Sequence, residues 1–183
     1  MVIIATEGSE TEPQYFRAFE RRDSRIQVEV LGTERGESAP RHVLKRLRSY
    51  RDRFDLGKGD ALFLAIDEDK WPVKQLAGVA SEARRQKFVL AVSCPCFDVW
   101  LYLHHADPPP AMQRMSSQEV KVALRSLLGE YNPSKLKTEV YVPKVTDAIR
   151  RARNLDPHRN QRWPNRPGTR VYLIMECILG SDP

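Results

Sequence analysis

The sequence predicts an α/β fold, a mostly parallel sheet flanked by helices, with a helical C-terminal extension. Three observations carry that reading. Short apolar runs alternate with segments of helical periodicity through the first half of the chain. Two of those runs, residues 61–66 (ALFLAI) and 88–92 (FVLAV), are continuously apolar, as strands buried on both faces of a parallel sheet require. The second half changes character and carries apolar stripes at helical spacing.

Taken in order, residues 2–6 (VIIAT) read as a first buried strand. Thr11, with Gln14 three residues on and Pro13 in the first turn, matches a capping box opening a helix with Tyr15, Phe16 and Phe19. Residues 26–31 (IQVEVL) alternate as a strand, and GTERGESAP is a loop. Val43, Leu44, Leu47, Tyr50 and Phe54 stripe the next helix, and GKGD turns the chain into the strand at 61–66. Leu76, Val79, Ala80 and Ala83 mark another helix before the strand at 88–92. Phe97, Trp100, Leu101 and His104 suit a helix that DPPPA breaks. Val120, Ala123, Leu124 and Leu127 mark a further one, as do Val145, Ala148, Ile149 and Ala152. The stretch NLDPHRNQRWPNRPG reads as a long loop, after which Thr169 caps a last helix with Val171, Tyr172, Met175, Ile178 and Leu179. The expected division is a core over residues 1–105 and an extension over 106–183, packed together as one compact domain.

At 183 residues and 41% apolar content the chain can bury a core without disulfides or metals. It has no apolar stretch long enough to span a bilayer, and its first residues lack the pattern of a signal peptide. A cytoplasmic protein without a membrane partner is expected. Cys94, Cys96 and Cys177 are an odd, sparse set, which agrees with free thiols in a reducing compartment. A net charge of +6 permits a polyanion partner without demanding one.

Carboxylates gather at predicted strand ends. In a parallel α/β sheet, ligands sit beyond the carboxyl ends of the strands. Glu7 follows the first strand, and Asp67 and Asp69 follow the strand at 61–66, so both strands deliver carboxylates to one edge. Asp67 and Asp69 point the same way if the extended path persists. Hard divalent cations such as Mg2+ take oxygen ligands, often one or two carboxylates with water and phosphate. A third carboxylate nearby can carry a proton. The plainer account is that such residues are helix caps or turn formers. Glu10 and Glu12 are assigned to the helix start, where carboxylates favour the positive dipole end. Gly8 would let backbone approach a ligand closely.

The stretches "EGSETEPQYF", "DEDKW" and "SCPCFDVWLYLHH" resemble the RloB family, Toprim-like proteins encoded in prokaryotic restriction and phage-defence loci, often beside an ATPase. "NRPGTRVYLIMECIL" is a looser fit to the family's last motif. The resemblance implies a Toprim-like sheet in which Glu7 is the general acid/base and Asp67 and Asp69 bind Mg2+ or Mn2+. Cys94 stands where the family usually has Asn, Asp98 where it has Glu, and His105 where it has an aromatic residue. Asp98 keeps the charge with a shorter reach, so that a water can intervene between it and a metal.

Other groups admit two readings. Cys94, Cys96, His104 and His105 invite zinc, but Cys-x-Cys is unlike the usual ligand spacing. A Cys–His nucleophile pair is conceivable, with nothing in the sequence to specify a reactive thiol. His104 is either a hydrogen-bonded core residue or a phosphate contact and proton-transfer group. Arg41, Lys45, Arg46, Arg48, Arg51 and Arg53 make one basic helix, a solvated face or a nucleic-acid contact. Arg159, Arg162 and Arg166, interleaved with Trp163, suit phosphate contact and base stacking or a mobile surface segment.

The function expected is a Mg2+-dependent nuclease acting on DNA or RNA in a defence system, with Glu7, Asp67, Asp69, Asp98 and His104 as the catalytic set; Asp67 and Asp69 hold one or two ions, and Glu7 completes the metal site or relays a proton. The alternative is a non-catalytic nucleic-acid-binding or regulatory subunit of a partner ATPase, since the chain has no nucleotide-binding loop of its own. A nucleotide-cyclising or phosphate-transferring enzyme would use the same carboxylates.

Overall fold

The computed structural model describes residues 1–20, 26–33 and 37–180. Strands β1 (Val2–Thr6), β2 (Val28–Leu31), β3 (Ala61–Asp67) and β4 (Val89–Cys94) lie parallel, and β5 (Gly168–Thr169) pairs antiparallel with β4. The sheet order is β2-β1-β3-β4-β5. The helices are α1 (Thr11–Arg17), α2 (Pro40–Arg53), α3 (Val73–Arg85), α4 (Asp98–Leu103), α5 (Ser117–Leu128), α6 (Val145–Leu155) and α7 (Val171–Leu179). No helix among the described residues is long and apolar enough to cross a membrane.

Alternation along the strands builds two cores, one on each face. Ile3 and Ala5 of β1, with Leu64 and Ile66 of β3, pack against Val43 and Leu47 of α2 and Leu76 and Val79 of α3. Val2, Ile4, Phe63 and Ala65 face the other way, against Tyr15 and Phe16 of α1, Trp100 of α4 and Tyr172 of α7. Val2, Ile3 and Ile4 are at most 2% exposed, and burying each such side chain contributes about 1.5–3 kcal/mol. Both faces of the central strands are covered, which explains their unbroken apolar runs. The second core also takes in Val120, Leu124, Tyr141 and Ala148, so the sheet and the later helices share one interior.

Four expectations differ from the structure. The last strand, β5, falls inside the stretch read as pure loop; two residues give no periodic signal, yet Arg170 N–H donates to Val92 O at 3.0 Å and extends the pairing. Thr11 does not cap α1. Its hydroxyl donates to Pro133 O at 3.1 Å, and the Gln14 amide divides between Glu10 O and Pro133 O, so both tie α1 to the segment after α5. Thr169 lies one residue before the N-cap Arg170, although its hydroxyl accepts from Val171 N–H at 3.2 Å. The second strand is confined to Val28–Leu31, and residues 34–36 of the loop after it lie outside the described residues.

Candidate active site at the carboxyl ends of the parallel strands

β1 and β3 run in register to Thr6 and Ala65, and Glu7 N–H donates to Ala65 O at 3.0 Å. Glu7 is therefore set by the sheet rather than by a loose loop. Its Oε2 accepts from the backbone N–H of Asp67 at 3.1 Å and from the indole N–H of Trp71 at 3.0 Å. Its Oε1 is buried without a hydrogen bond, and the Lys70 ammonium stands 3.4 Å away. Behind it, Thr33 Oγ1 lies 2.6 Å from Glu7 O, and Arg46 donates to Thr6 O at 2.7 Å. Burial raises the Glu7 carboxyl above its ordinary range, opposed by Trp71 and Lys70.

A cleft of about 200 Å³ opens in front of this edge, lined by Glu12, Asp67, Asp98, Lys70 and Lys121 among others. Asp67, at the end of β3, is buried, and its carboxyl is pushed well up by burial, then by Glu12 and Glu7. Glu12, assigned from the sequence to the helix dipole, is buried as well and accepts from Gly8 N–H at 3.0 Å. A Cβ at Gly8 would overlap the Glu12 carboxylate, so the glycine makes room for this side chain. Asp98 accepts from the Tyr131 hydroxyl, and burial raises its carboxyl against the help of Tyr131 and Lys121. Five carboxyl groups, those of Glu7, Glu10, Glu12, Asp67 and Asp98, thus stand against two ammonium groups.

The remaining candidates lie elsewhere. β3 ends at Asp67 and the chain turns over residues 68–71, so the two-residue alternation stops. Asp69 is exposed and accepts from Ser117, outside the set that lines the cleft. His104 is a core residue. Its Nε2 lies 2.9 Å from the Tyr15 hydroxyl and its Nδ1 2.9 Å from Trp100 O, and the rings of Tyr15, Trp100 and Tyr141 enclose it edge-on. Burial pushes its pKa down to about 3, so it is neutral and enclosed rather than a proton carrier in the cleft. Cys94 and Cys96 are buried free thiols whose pKa burial raises, the opposite of an activated nucleophile. No group of three or more His, Cys, Asp or Glu among the described residues is arranged to hold a metal. The zinc reading therefore has no site.

The same finding bears on Mg2+. It excludes a ready-made protein cage of three such ligands, not a hard cation held by one or two carboxylates and water. The donor set fits the latter: all ligands would be oxygens, Glu7 Oε1 is buried without a hydrogen bond, and the carboxyls of Glu7, Glu12 and Asp67 crowd together with the Lys70 ammonium as their cation.

The basic candidates divide into three places. Lys45 lines a cleft of about 580 Å³ between α1, β2 and α2 that meets the carboxylate cleft at Ser9, while Arg41 is exposed outside it. Arg166 pairs with Glu68 just past β3. Arg159 and Arg162 line another cleft near the start of β4, and Trp163 packs against the core formed with α2 and α3.

A family model described as RloB-like protein matches residues 2–178. The chain belongs to the RloB-like family. No curated protein and no solved structure matches it. The three stretches that carry the resemblance supply the cleft: Glu12 comes from EGSETEPQYF, Asp67 and Lys70 from DEDKW, and Phe97 and Asp98 from SCPCFDVWLYLHH. Family membership covers β1 through α7. Sequence reasoning passed over Lys70, Trp71 and Lys121; the first two sit inside the DEDKW stretch, while no local pattern marks Lys121.

Proposed function

We propose that this RloB-like protein is a Toprim-like, Mg2+- or Mn2+-dependent phosphodiesterase that hydrolyses DNA or RNA. One observation carries the reading: Glu7 and Asp67 are brought together at the sheet's carboxyl edge as buried, crowded carboxyls, faced by the Lys70 ammonium, beside an open cleft. Proteins tolerate such crowding where a cation or protons relieve it. Asp67 and Glu7 would hold the ion, with Glu12 adjoining. When bound, a divalent ion lowers the pKa of its water and offsets charge on the phosphate.

The chain's own residues supply the rest. Lys70 and Lys121 face the cleft and would bind phosphate oxygens. Glu7, oriented by Trp71 and by the Asp67 N–H, would present Oε1 to the ion. A strand leaving the cleft past Ser9 would enter the neighbouring basic cleft beside Lys45. The defence setting and the partner ATPase implied by the resemblance belong to the same proposal.

The second reading, a binding or regulatory subunit that does not cut, draws on the Lys70–Glu7 pair and on Asp69 turning to Ser117. Calorimetric titration with Mg2+ and Mn2+ separates the two. Binding that disappears in Glu7→Gln and Asp67→Asn supports the enzyme; no binding at roughly millimolar ion, where weak carboxylate sites fill, supports the subunit.

A further inference from the structure

The opposite end of the sheet carries a cleft of different character. About 860 Å³ in volume, it opens between the C-terminal end of α3, the start of β4 and the 159–162 loop. Its charged lining is Arg84, Lys87, Arg159, Arg162 and Arg170, and no carboxylate lines it. Arg170 is internal. It is buried and paired with Asp156 at 2.8 Å, and donates to Gln161 O at 2.9 Å and Arg162 O at 3.3 Å. The other four are exposed and form no ion pair among the described residues; Arg159 lies over the Tyr172 ring, 5.6 Å from its centroid.

Two features distinguish this cleft from an ordinary solvated face. The first is that its loop is built to hold shape. The buried Arg170 ties down the backbone that presents Arg159 and Arg162, which sets them beside Arg84 and Lys87. The second is Lys87. With φ of 60°, it is the sole non-glycine residue of positive φ among those described. It follows α3 in a turn where Phe88 N–H donates to Ala83 O at 2.9 Å and Lys87 N–H to Arg84 O at 3.1 Å, a position that favours glycine. A side chain there strains against the backbone. Lys87 is exposed and its side chain makes no hydrogen bond or ion pair among the described residues, so its charge is what distinguishes it from glycine.

We propose that this cleft is a docking site for the phosphate backbone of nucleic acid, separate from the carboxylate edge. The choice of partner rests on the phosphodiesterase reading; the site itself rests on the lining. Three of the four available cations are arginines, whose planar forks match phosphate oxygens. A cationic lining without carboxylates recognises backbone rather than sequence. β4 has six residues, so the cleft stands about 20 Å from the carboxylate edge, roughly six base steps of a duplex. Docking there adds affinity only for substrates long enough to reach both ends of the sheet.

The test uses the full chain in chelator, where no cleavage occurs, with fluorescent DNA and RNA oligonucleotides of about 30 residues, roughly 100 Å as duplex. Binding is read by anisotropy over a range of salt. Lys87→Gly is expected to raise the melting temperature by about 3 °C while weakening binding about 3- to 10-fold and lowering the salt slope by about 1. Adding Arg84→Gln is expected to lower the slope by about 1 more. In a separate assay with Mg2+, cleavage of substrates shorter than about six nucleotides is expected to be unchanged in both variants. Wild-type affinity and salt slope in both variants overturn the proposal. So does displacement of the oligonucleotide by polyglutamate at equal charge. Binding that responds to these variants in a protein that never cleaves keeps the docking site and overturns the phosphodiesterase reading.

Discussion

The indole N–H of Trp71 donates to Glu7 Oε2 at 3.0 Å, closing one side of a carboxylate whose other oxygen has no hydrogen bond. Trp71 thus positions Glu7 without itself lining the cleft. Trp71→Phe keeps most of the packing and removes the donor. The expected outcome is about a 10-fold loss of kcat with little change in KM, measured by steady-state cleavage. An unchanged kcat would mean that the orientation of Glu7 does not matter.

Asp67 carries the crowding most plainly. Its carboxyl is raised well above 3.8 by burial, Glu12 and Glu7, so its contribution to stability is full below that value and lost as pH rises through the folded-state pKa. Without metal, Asp67→Asn should therefore raise the melting temperature at neutral pH by a few degrees while abolishing cleavage. The gain should shrink in acid. A variant less stable than wild type at neutral pH would show that the carboxylate is not under strain.

Lys70 occupies the position of a cation beside Glu7, with its ammonium 3.4 Å from Oε1. Burial opposes its charge, and Glu7 and Asp67 more than restore it. Lys70→Gln removes a like charge from any bound ion and is expected to tighten Mg2+ binding about 3- to 10-fold by calorimetry, the half-exposed ammonium being partly screened. Weaker binding in the variant would make Lys70 a support of the ion site rather than its competitor.

His104 predicts a separate acid limit. Burial lowers its pKa to about 3 from 6.5, so its stabilising effect is complete above 6.5 and is lost as pH falls toward 3. The full shift corresponds to about 5 kcal/mol as an upper bound. His104→Gln should be less stable at neutral pH yet lose less between those limits, read from urea midpoints. Parallel pH profiles for the two proteins would remove His104 as the cause.

The fold was legible where periodicity was long. Residues 61–66 and 88–92 announce the central strands, and the stripes of Val43, Leu47, Leu76 and Val79 announce the helices that cover one face. Local chemistry misled where tertiary partners competed. Thr11 and Gln14 look like a capping box but are drawn to Pro133 O, whereas Ser116 and Glu119 form a capping box unnoticed at α5. At the site, strand-end position found Glu7 and Asp67. Two-residue spacing failed for Asp69 because the strand stops at Asp67. Glu12 was hidden by a sound local reason for its charge, the helix start, which says nothing of its burial against Asp67. His104 shares a helical stripe with Trp100 and Leu101, and only the enclosing rings of Tyr15 and Tyr141 establish that it is core.

The central claim, that Glu7 and Asp67 support metal-dependent phosphodiester hydrolysis, is tested most directly by one assay. Labelled single- and double-stranded DNA and RNA are incubated with wild type and Asp67→Asn in Mg2+, Mn2+ or chelator, and products are resolved by length. The account predicts cleavage of at least one substrate by wild type with metal, none in chelator, and at least a 100-fold loss, roughly 2.7 kcal/mol of activation free energy, in the variant. Cleavage by Asp67→Asn at the wild-type rate would contradict it.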